Sequence, residues 1–591
     1  MKLSFLRHTW QKFLAAAFVV FLLMVTVVAY FVNRHWAPIL ATELRNTVLA
    51  SSDSLYQADF TDAELHIVQG KVIVHNLTLK PNLSVYNRQL ARGIAPNNLY
   101  TLKVKRIVFK HIHPLKLYYK RKLDITQIVL SAPELRVSYQ LNHQLSKPSQ
   151  KKISAWQRIK GLLKSVHIGE VMLNDVKLTY QDYSGNKLDI SELKEMNLTG
   201  KDLLIDSVTQ FDSTRFYYFK DVQAELNNFS RPADNGLYTY RINQLQYSTL
   251  TSQLKARGVA LLPAADSVFF NRHVRTWFQF DADTLNLSGF DFKKYNKVRS
   301  LNAARLLIGR SNLTVFSNPE GQSKKGDRLI TYPHVAIRQV KSNFKLDTVD
   351  LHRIHITYNG YGKKSHKPGY VSFYNTEGRI FNITNDSAAL KRNPITLVKL
   401  RSYLMESGPV EAEVSFNLTD SAKSFTYKGS VGPMDLEKMN KATMPFGLIK
   451  IASGKLDRLS FDFKADRYKT KGKVSFLYHD LKVRILKMDT LADRYRHRTI
   501  ASILANALVV KRHNPDFLGG TPRETDVTYI RQPDTPFFKT VWKSLAIGIK
   551  AGAGYDAATE KMVKQHIAQR IDDKKRRELR RQLRRQRQGR R

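Results

Sequence analysis

The sequence predicts a mainly β protein with one N-terminal transmembrane helix, an elongated antiparallel sheet curled into a U-shaped groove, and a helical C-terminal segment. Three observations lead to this prediction. Residues 13–32 form an unbroken apolar run. From Phe60 to about residue 490, apolar and polar side chains alternate with the period of a β-strand. Beyond Leu491 the apolar spacing becomes helical.

The run at 13–32 contains no charged residue, proline or glycine. A helix rises ~1.5 Å per residue, so about 20 such residues cross a hydrocarbon core. Lys2, Arg7 and Lys12, in the basic segment 1–12, favour a cytoplasmic N-terminus. A cleaved signal peptide is the alternative, but it would need a shorter apolar core and a small-residue exit. No other stretch of the sequence reaches spanning length, so the sequence predicts a single-pass membrane protein.

The charge of the chain predicts anionic partners. The sequence has 96 Lys and Arg against 50 Asp and Glu, a formal net charge of +46. Such a surplus suits either membrane surfaces or nucleic acid, and the apolar anchor favours anionic lipid. Cysteine is absent, which excludes disulfides, cysteine-zinc sites and thiol catalysis.

The spacing of apolar residues divides the chain after the anchor into three regions. Residues 33–59 have helical apolar spacing and predict a short amphipathic helix. Residues 60–490 predict strands, with a slip of phase near His75 and Asn76 and one intruding helix near 153–163. Residues 491–571 predict a helical region, with segments at 498–510, 537–549 and 557–571.

The last segment, 572–591, is a polybasic tail. Each Lys or Arg near an anionic surface gains about 1 kcal/mol, so we expect the tail to dock on a membrane. A solvated, partly disordered end is the alternative. The basic residues predicted to bind the membrane surface are Lys574, Lys575, Arg576, Arg577, Arg580, Arg581, Arg584 and Arg585.

Motifs for catalysis are missing from the sequence. It has no phosphate-binding loop, nucleophile elbow, zinc-protease helix or dinucleotide fingerprint. His111 and His113 share one strand face, but no third ligand lies nearby in sequence and the flanking lysines would repel a metal ion. The sequence therefore predicts no enzyme, no cofactor and no metal.

A long alternating sheet makes one apolar and one polar face. Without a helical layer in the sequence, the apolar face must be buried by curling or by a ligand. Acyl chains suit such a face, because each CH₂ left in water costs ~0.8 kcal/mol. The candidate lipid-groove residues are Leu65, Ile67, Val72, Val74, Leu77, Leu79, Leu123, Ile125, Val137, Leu459, Phe461 and Phe463.

Two stretches carry a family resemblance. Residues 122–139 (KLDITQIVLSAPELRVSY) resemble the repeated strand element of AsmA-like envelope proteins (TamB- and YhdP-related). Residues 451–486 resemble the C-terminal segment of that family, which is similar to chorein-type bridge-like lipid transfer proteins. The resemblance implies a bacterial inner-membrane anchor and a periplasmic AsmA-like β-groove over 60–490. It also implies phospholipid transfer to the outer membrane in support of envelope integrity, with the outer membrane's inner leaflet or an outer-membrane protein as a further partner.

Two other functions stay open. The chain would be a tethered scaffold of the cell envelope if its apolar face were only a packed core. It would be a nucleic-acid binder if the charge alone decided, but its aromatic residues do not cluster with basic ones as a stacking platform requires. No nucleic-acid partner is therefore expected.

Overall fold

The computed structural model describes residues 52–66, 69–140, 154–161, 163–184, 188–233, 235–318, 326–489, 493–497, 510–517 and 519–555, with single positions at 46, 48, 49, 142, 321, 565, 569 and 576. Of these residues, 57% lie in strands and 18% in helices, and the strands build a large sheet. The predicted mainly β class is confirmed. The predicted anchor at 13–32 lies outside the described residues, and among those described no helix has the length and apolarity to cross a membrane.

The chain forms two units. Unit 1 contains the described residues of Met1–Phe229, Ile242–Ala256 and Phe290–Arg299, and unit 2 contains the others. Strands of the first half are β1 Tyr56–Asp59, β2 Asp62–His66, β3 Lys71–Pro81, β4 Asn98–Ile112, β5 Lys122–Ser131, β6 Glu134–Tyr139, β7 Ser165–Asp182, β8 Asp189–Ile205, β9 Phe219–Pro232, β10 Tyr238–Ser248, β11 Gln253–Pro263 and β12 Thr276–Ser288. Those of the second half are β13 Leu301–Ile308, β14 Ser311–Ser317, β15 Phe344–Tyr361, β16 Pro368–Thr384, β17 Ile395–Leu404, β18 Gly408–Asn417, β19 Phe425–Val431, β20 Met434–Asp435, β21 Ile449–Ala465, β22 Lys469–Asp489, β23 Arg494–His497 and β24 Glu524–Ile530.

Most helices are short connections between strands. They are α1 Leu83–Ala91, α2 Pro114–Lys120, α3 Ala155–Ile159, α4 Asp266–Asn271, α5 Phe292–Val298, α6 Pro333–Gln339, α7 Ser387–Arg392, α8 Asn440–Gly447 and α9 Phe537–Gly552. The helix predicted near 153–163 is α3, where Ser154 caps the first turn by accepting a hydrogen bond from the Gln157 amide.

The sheet of unit 1 is not purely antiparallel, which corrects the prediction. β4 pairs antiparallel with both β5 and β6, which together act as one bent strand. β7 then pairs parallel with both of them. The connection between β6 and β7, which contains α3, is a crossover that brings the chain back so that β7 runs in the same direction as β5 and β6, as parallel pairing requires.

The predicted phase slip in β3 is confirmed at Asn76. Its φ of 52° lies in the left-handed region, which asparagine tolerates better than most residues. Val74 before the kink and Leu77 after it pack against the same apolar cluster. One face therefore stays apolar through the change of phase.

A strand–helix–bent-strand pattern occurs twice along the chain. β4, α2, β5 and β6 recur as β12, α5, β13 and β14, with Leu123 matching Leu301 and Leu135 matching Leu313, each 178 positions later. β15 pairs parallel with β13 and β14, as β7 does with β5 and β6. Both copies continue into an 18-residue strand and a 17-residue antiparallel partner.

The backbone special positions of the two copies also correspond. The helices α2 and α5 both end at an arginine in the left-handed conformation, Arg121 and Arg299. Asp175 and Arg353 both have positive φ, and a buried residue follows each of them. Residues 98–205 and 276–384 are therefore one structural motif used twice.

Unit 2 buries its apolar face under α9. The core contains side chains of β18, β19, β21, β22 and β24, and Phe537, Val541 and Leu545 of α9 pack onto it. Gly548 permits the contact, because a Cβ there would lie 2.4 Å from Val474 Cγ2. The helix and the sheet thus form two layers around a closed core.

The regions before and after the predicted groove, 33–59 and 491–571, were both predicted to be helical, and the structure differs from this prediction in part. In 33–59, positions 46, 48 and 49 are helical, but the chain enters β1 already at Tyr56. In 491–571, the helix expected at 537–549 is α9, whereas β23 and β24 add two strands to a region predicted to be helical. The β24 strand forms because it pairs with β22 along seven residues, a contact that local spacing does not reveal.

Candidate functional site

Unit 1 presents rows of apolar side chains that run from strand to strand. We call this surface the open apolar face. One row pairs in register across five strands: Val74, Ile107, Leu130, Leu173 and Leu198. A second row is Val72, Phe109, Ile128 and Val171. A third is Leu79, Leu102, Leu135, Leu178 and Leu193.

The members of this face come from strands alone. In the cluster around Val104 and Ile125, all five buried residues and all nine partly buried ones lie on β3, β4, β5 or β7. A neighbouring cluster around Val176 and Met196 shares Leu173 and continues the face to β10. With strands ~4.8 Å apart, five paired strands make a row about 20 Å long. That row exceeds the ~15 Å that one acyl chain spans in half of a bilayer core.

Most of the predicted groove residues in unit 1 belong to this face. Val72, Val74, Leu77 and Leu79 lie on β3 as expected, and Ile125 is buried within the same cluster. The others in unit 1 are Leu65, which pairs with Val72, Leu123, which packs on the cluster, and Val137, which is buried on β6. Ile67 lies outside the described residues.

The three groove candidates of unit 2 have a different environment. Leu459, Phe461 and Phe463 face the core that α9 covers, and Phe463 is completely buried. Its ring stacks on Tyr427 with centroids 4.8 Å apart. These side chains therefore contact other side chains of the core.

The predicted polar face of the sheet has an apolar interruption in unit 1. On the reverse side of the strands, Ile73 pairs with Val108 and Val108 with Val129, and both Ile73 and Val108 are buried. Thr78 and Lys103, further along β3 and β4, give that side its polar character.

A charged network joins the starts of β5 and β7 to the end of β8. His167 Nδ1 lies 3.0 Å from Asp124 Oδ1, and His167 Nε2 lies 3.3 Å from Asp202 Oδ1. The Lys116 ammonium donates to Asp124, and this hydrogen bond, followed by that of His167, holds the pKa of the Asp124 carboxyl below its usual value. Because both ring nitrogens of His167 meet carboxylates, the ring ties β5, β7 and β8 together.

Sequence reasoning missed an aromatic cavity in unit 2. It encloses about 640 Å³ at the ends of β12, β14, β15 and β16, beside α4 and α8. Trp277 lines it and is stacked between Phe269 and Phe316, with centroids 4.8 and 5.4 Å away. Residues so distant in sequence give no local signal. Only the pairing of the strands brings them together.

The tail residues predicted to bind a membrane lie almost wholly outside the described residues. Arg576 is the exception, and it is helical and exposed. Lys574, Lys575, Arg577, Arg580, Arg581, Arg584 and Arg585 are not among the described positions, so tail docking stays a prediction.

Comparison with known proteins adds no family to this geometry. No protein-family model matches the chain, and no curated protein matches it.

Proposed function

We propose that this protein is a membrane-tethered, lipid-binding conduit whose open apolar face holds the acyl chains of phospholipids. The observation that carries the proposal is the set of apolar rows on β3 to β8, whose members are strand residues and are in large part only half-buried. At about 25 cal/mol per Å² of apolar surface, such a face gains free energy when lipid replaces water.

Three further features support the proposal. The rows are continuous in register, so an acyl chain meets apolar groups along its whole length. The apolar run at 13–32 supplies a tether, and the net charge of +46 favours anionic lipid surfaces. The resemblance of 122–139 to AsmA-like proteins supports, as part of the proposal, a location in the bacterial inner membrane with the bulk of the chain in the periplasm. In that setting it would support phospholipid transfer between the two membranes.

Site-specific crosslinking tests the proposal. We expect p-benzoylphenylalanine in place of Leu77, on the open apolar face, to capture phospholipid when the full chain is irradiated in its native membrane and analysed by mass spectrometry. The matched control is the same probe in place of Thr78, the next residue, which points to the other side of β3. Capture at Leu77 that does not exceed capture at Thr78 would refute the conduit and favour the tethered scaffold.

A further inference from the structure

Two short helices and a loop lie at the same end of the strands of unit 1. α2 directly precedes β5, and the α3 segment precedes β7, which runs parallel to β5. The loop 206–218 joins the end of β8 to the start of β9, and β8 ends opposite the start of β7. We call α2, the α3 segment and this loop the α2 edge.

Hydrogen bonds hold these elements side by side. The Arg121 guanidinium, at the end of α2, donates to the Gly161 carbonyl just after α3. Ser154 Oγ, at the start of α3, donates to Gln210 Oε1 over 2.8 Å, and the Ala155 amide donates to the Tyr218 hydroxyl over 3.1 Å. The α2 edge is therefore one continuous surface.

This surface exposes large apolar side chains. Those on α2 have 70 to 82% of their area exposed, and those on the loop have 69 to 81%. They are Leu115, Tyr118 and Tyr119 on α2, and Val208, Phe211 and Tyr217 on the loop. Leaving so much apolar area in water is costly, and patches of this kind mark interaction sites.

The repeated motif shows that the fold does not require these residues. In the second copy, the positions that correspond to Leu115, Tyr118 and Tyr119 are Lys293, Asn296 and Lys297 of α5. The same short helix between the same strands is thus built with polar side chains. The apolar residues of α2 are a property of the first copy and call for a partner.

Basic residues are frequent in α2, in the start of β5 and in the α3 segment. The basic residues of this part of the edge are Lys116, Lys120, Arg121, Lys122, Lys160 and Lys164. Asp124 engages the Lys116 ammonium, and the Lys120 and Lys122 side chains are exposed. Tyrosine together with Lys or Arg is the composition of a segment that lies at a bilayer interface, with the ring at headgroup level and the cation near lipid phosphate.

We propose that the α2 edge docks into the interface of an anionic lipid bilayer, with Tyr118, Tyr119 and Leu115 inserted and Lys120 and Lys122 facing the headgroups. This inference deepens the proposed function by naming the surface that meets the membrane. It does not depend on whether the open apolar face carries lipid.

The absence of cysteine from the chain makes a depth measurement direct. Tyr118→Cys in the full chain, labelled with an environment-sensitive nitrobenzoxadiazole dye, is reconstituted into phosphatidylcholine vesicles with or without phosphatidylglycerol. Nitroxide lipids serve as quenchers. The matched control is Tyr183→Cys, an exposed tyrosine that follows β7 at the opposite end of its 18 residues, a strand length of ~60 Å.

We expect blue-shifted emission and several-fold stronger quenching at position 118 than at 183, and a larger difference when phosphatidylglycerol is present. Lys120→Glu combined with Lys122→Glu should reduce quenching at 118 while lipid capture at Leu77 persists. Equal quenching at 118 and 183 would overturn the inference, as would quenching at 118 that the two glutamates leave unchanged. A failure of capture at Leu77 alone would refute the conduit and leave the docking edge standing.

Discussion

Units 1 and 2 both contain long strands with an apolar face, but they bury it in different ways. In unit 2, α9 packs on the face, and twenty core residues are buried, among them Phe463, Val474 and Tyr478. In unit 1, the cluster on β3 to β7 consists of strand residues, and nine of its fourteen members are only partly buried. The same alternation of residues therefore yields a closed core in one unit and an accessible face in the other.

Unit 2 can bury its apolar face because one side of α9 carries small residues. Thr540, Ser544, Gly548 and Gly552 recur at every fourth position and are all buried. Their small size brings the helix backbone close to β22, and the two hydroxyls hydrogen-bond buried tyrosines of the core. A strand face becomes a core when a helix with such a surface is available to cover it.

The largest expected effect is the loss of stability when an aspartate replaces an apolar residue on each of the two faces. Phe463→Asp should destabilise unit 2 by about 5 kcal/mol, because it removes a buried ring and leaves an unpaired carboxylate. Leu77→Asp should cost about 2 kcal/mol, because the side chain is already partly exposed to water. Hydrogen exchange of the β21 and β4 amides reports each unit separately. Equal losses would mean that the two faces are equally buried.

The next prediction concerns the approach of α9 to the sheet. Gly548→Leu should lower the stability of unit 2 by about 3 kcal/mol, since the new side chain would overlap Val474. Lys550→Leu places the same leucine at an exposed position of the same helix and should change stability little. Urea denaturation monitored by circular dichroism measures both variants. An unchanged midpoint for Gly548→Leu would show that the helix does not close the core.

A third prediction uses His334, which is buried in the closed core. Burial lowers the pKa of His334 to about 4 from its usual 6.5. Between these values the unfolded chain binds a proton that the folded chain does not, so stability falls as the pH drops below 6.5. The loss at pH 5 should be about 2 kcal/mol relative to neutral pH.

The control for this pH effect is His334→Gln, which retains an N–H donor for the Lys423 carbonyl that lies 3.0 Å from His334 Nε2. Carboxylates titrate in both proteins, so the difference between the two pH profiles isolates the histidine. Parallel profiles from pH 7 to pH 5 would contradict burial of a neutral ring.

The smallest effect tests a single buried contact. The Tyr332 and Thr540 hydroxyl oxygens are 2.6 Å apart and join the residue before α6 to α9. A double-mutant cycle with Tyr332→Phe and Thr540→Val should give a coupling free energy of about 1 kcal/mol. As a control, the effects of Tyr100→Phe in unit 1 and Thr540→Val on the free energy of unfolding should be additive. Additivity at Tyr332 itself would mean that the hydrogen bond does not contribute to closing the core.

The alternation of the sequence was enough to place residues on a face. Val74 and Leu77 could be assigned to one side of β3, slip included, because burial of an apolar face fixes the phase of a strand. The helix at 537–549 followed from its spacing in the same way. These features are local, and local pattern determines them.

Features that depend on distant partners were not predictable in this way. Parallel strands such as β5 and β7 alternate just as antiparallel ones do, so the direction of pairing depends on the crossover between them. Phe463 and Leu77 have equivalent patterns, and only α9, some 75 residues beyond Phe463, separates their environments. The second copy of the motif retains few identical residues, such as Leu301 and Leu313, and its pairing rather than its sequence reveals it.

The position of α9 near the end of the described chain has a consequence for synthesis. Four of the strands in the core that it covers, β18, β19, β21 and β22, are complete by residue 489, whereas the helix ends at Gly552. At ~5–20 residues per second, a ribosome needs about 3–13 s to make the interval. During that time the nascent unit 2 displays its future core to water, as unit 1 displays its face in the finished protein. A nascent chain that stops before Phe537 therefore exposes apolar surface that chaperones bind. The rate of translation from residue 489 to Gly552 sets how long this surface stays exposed.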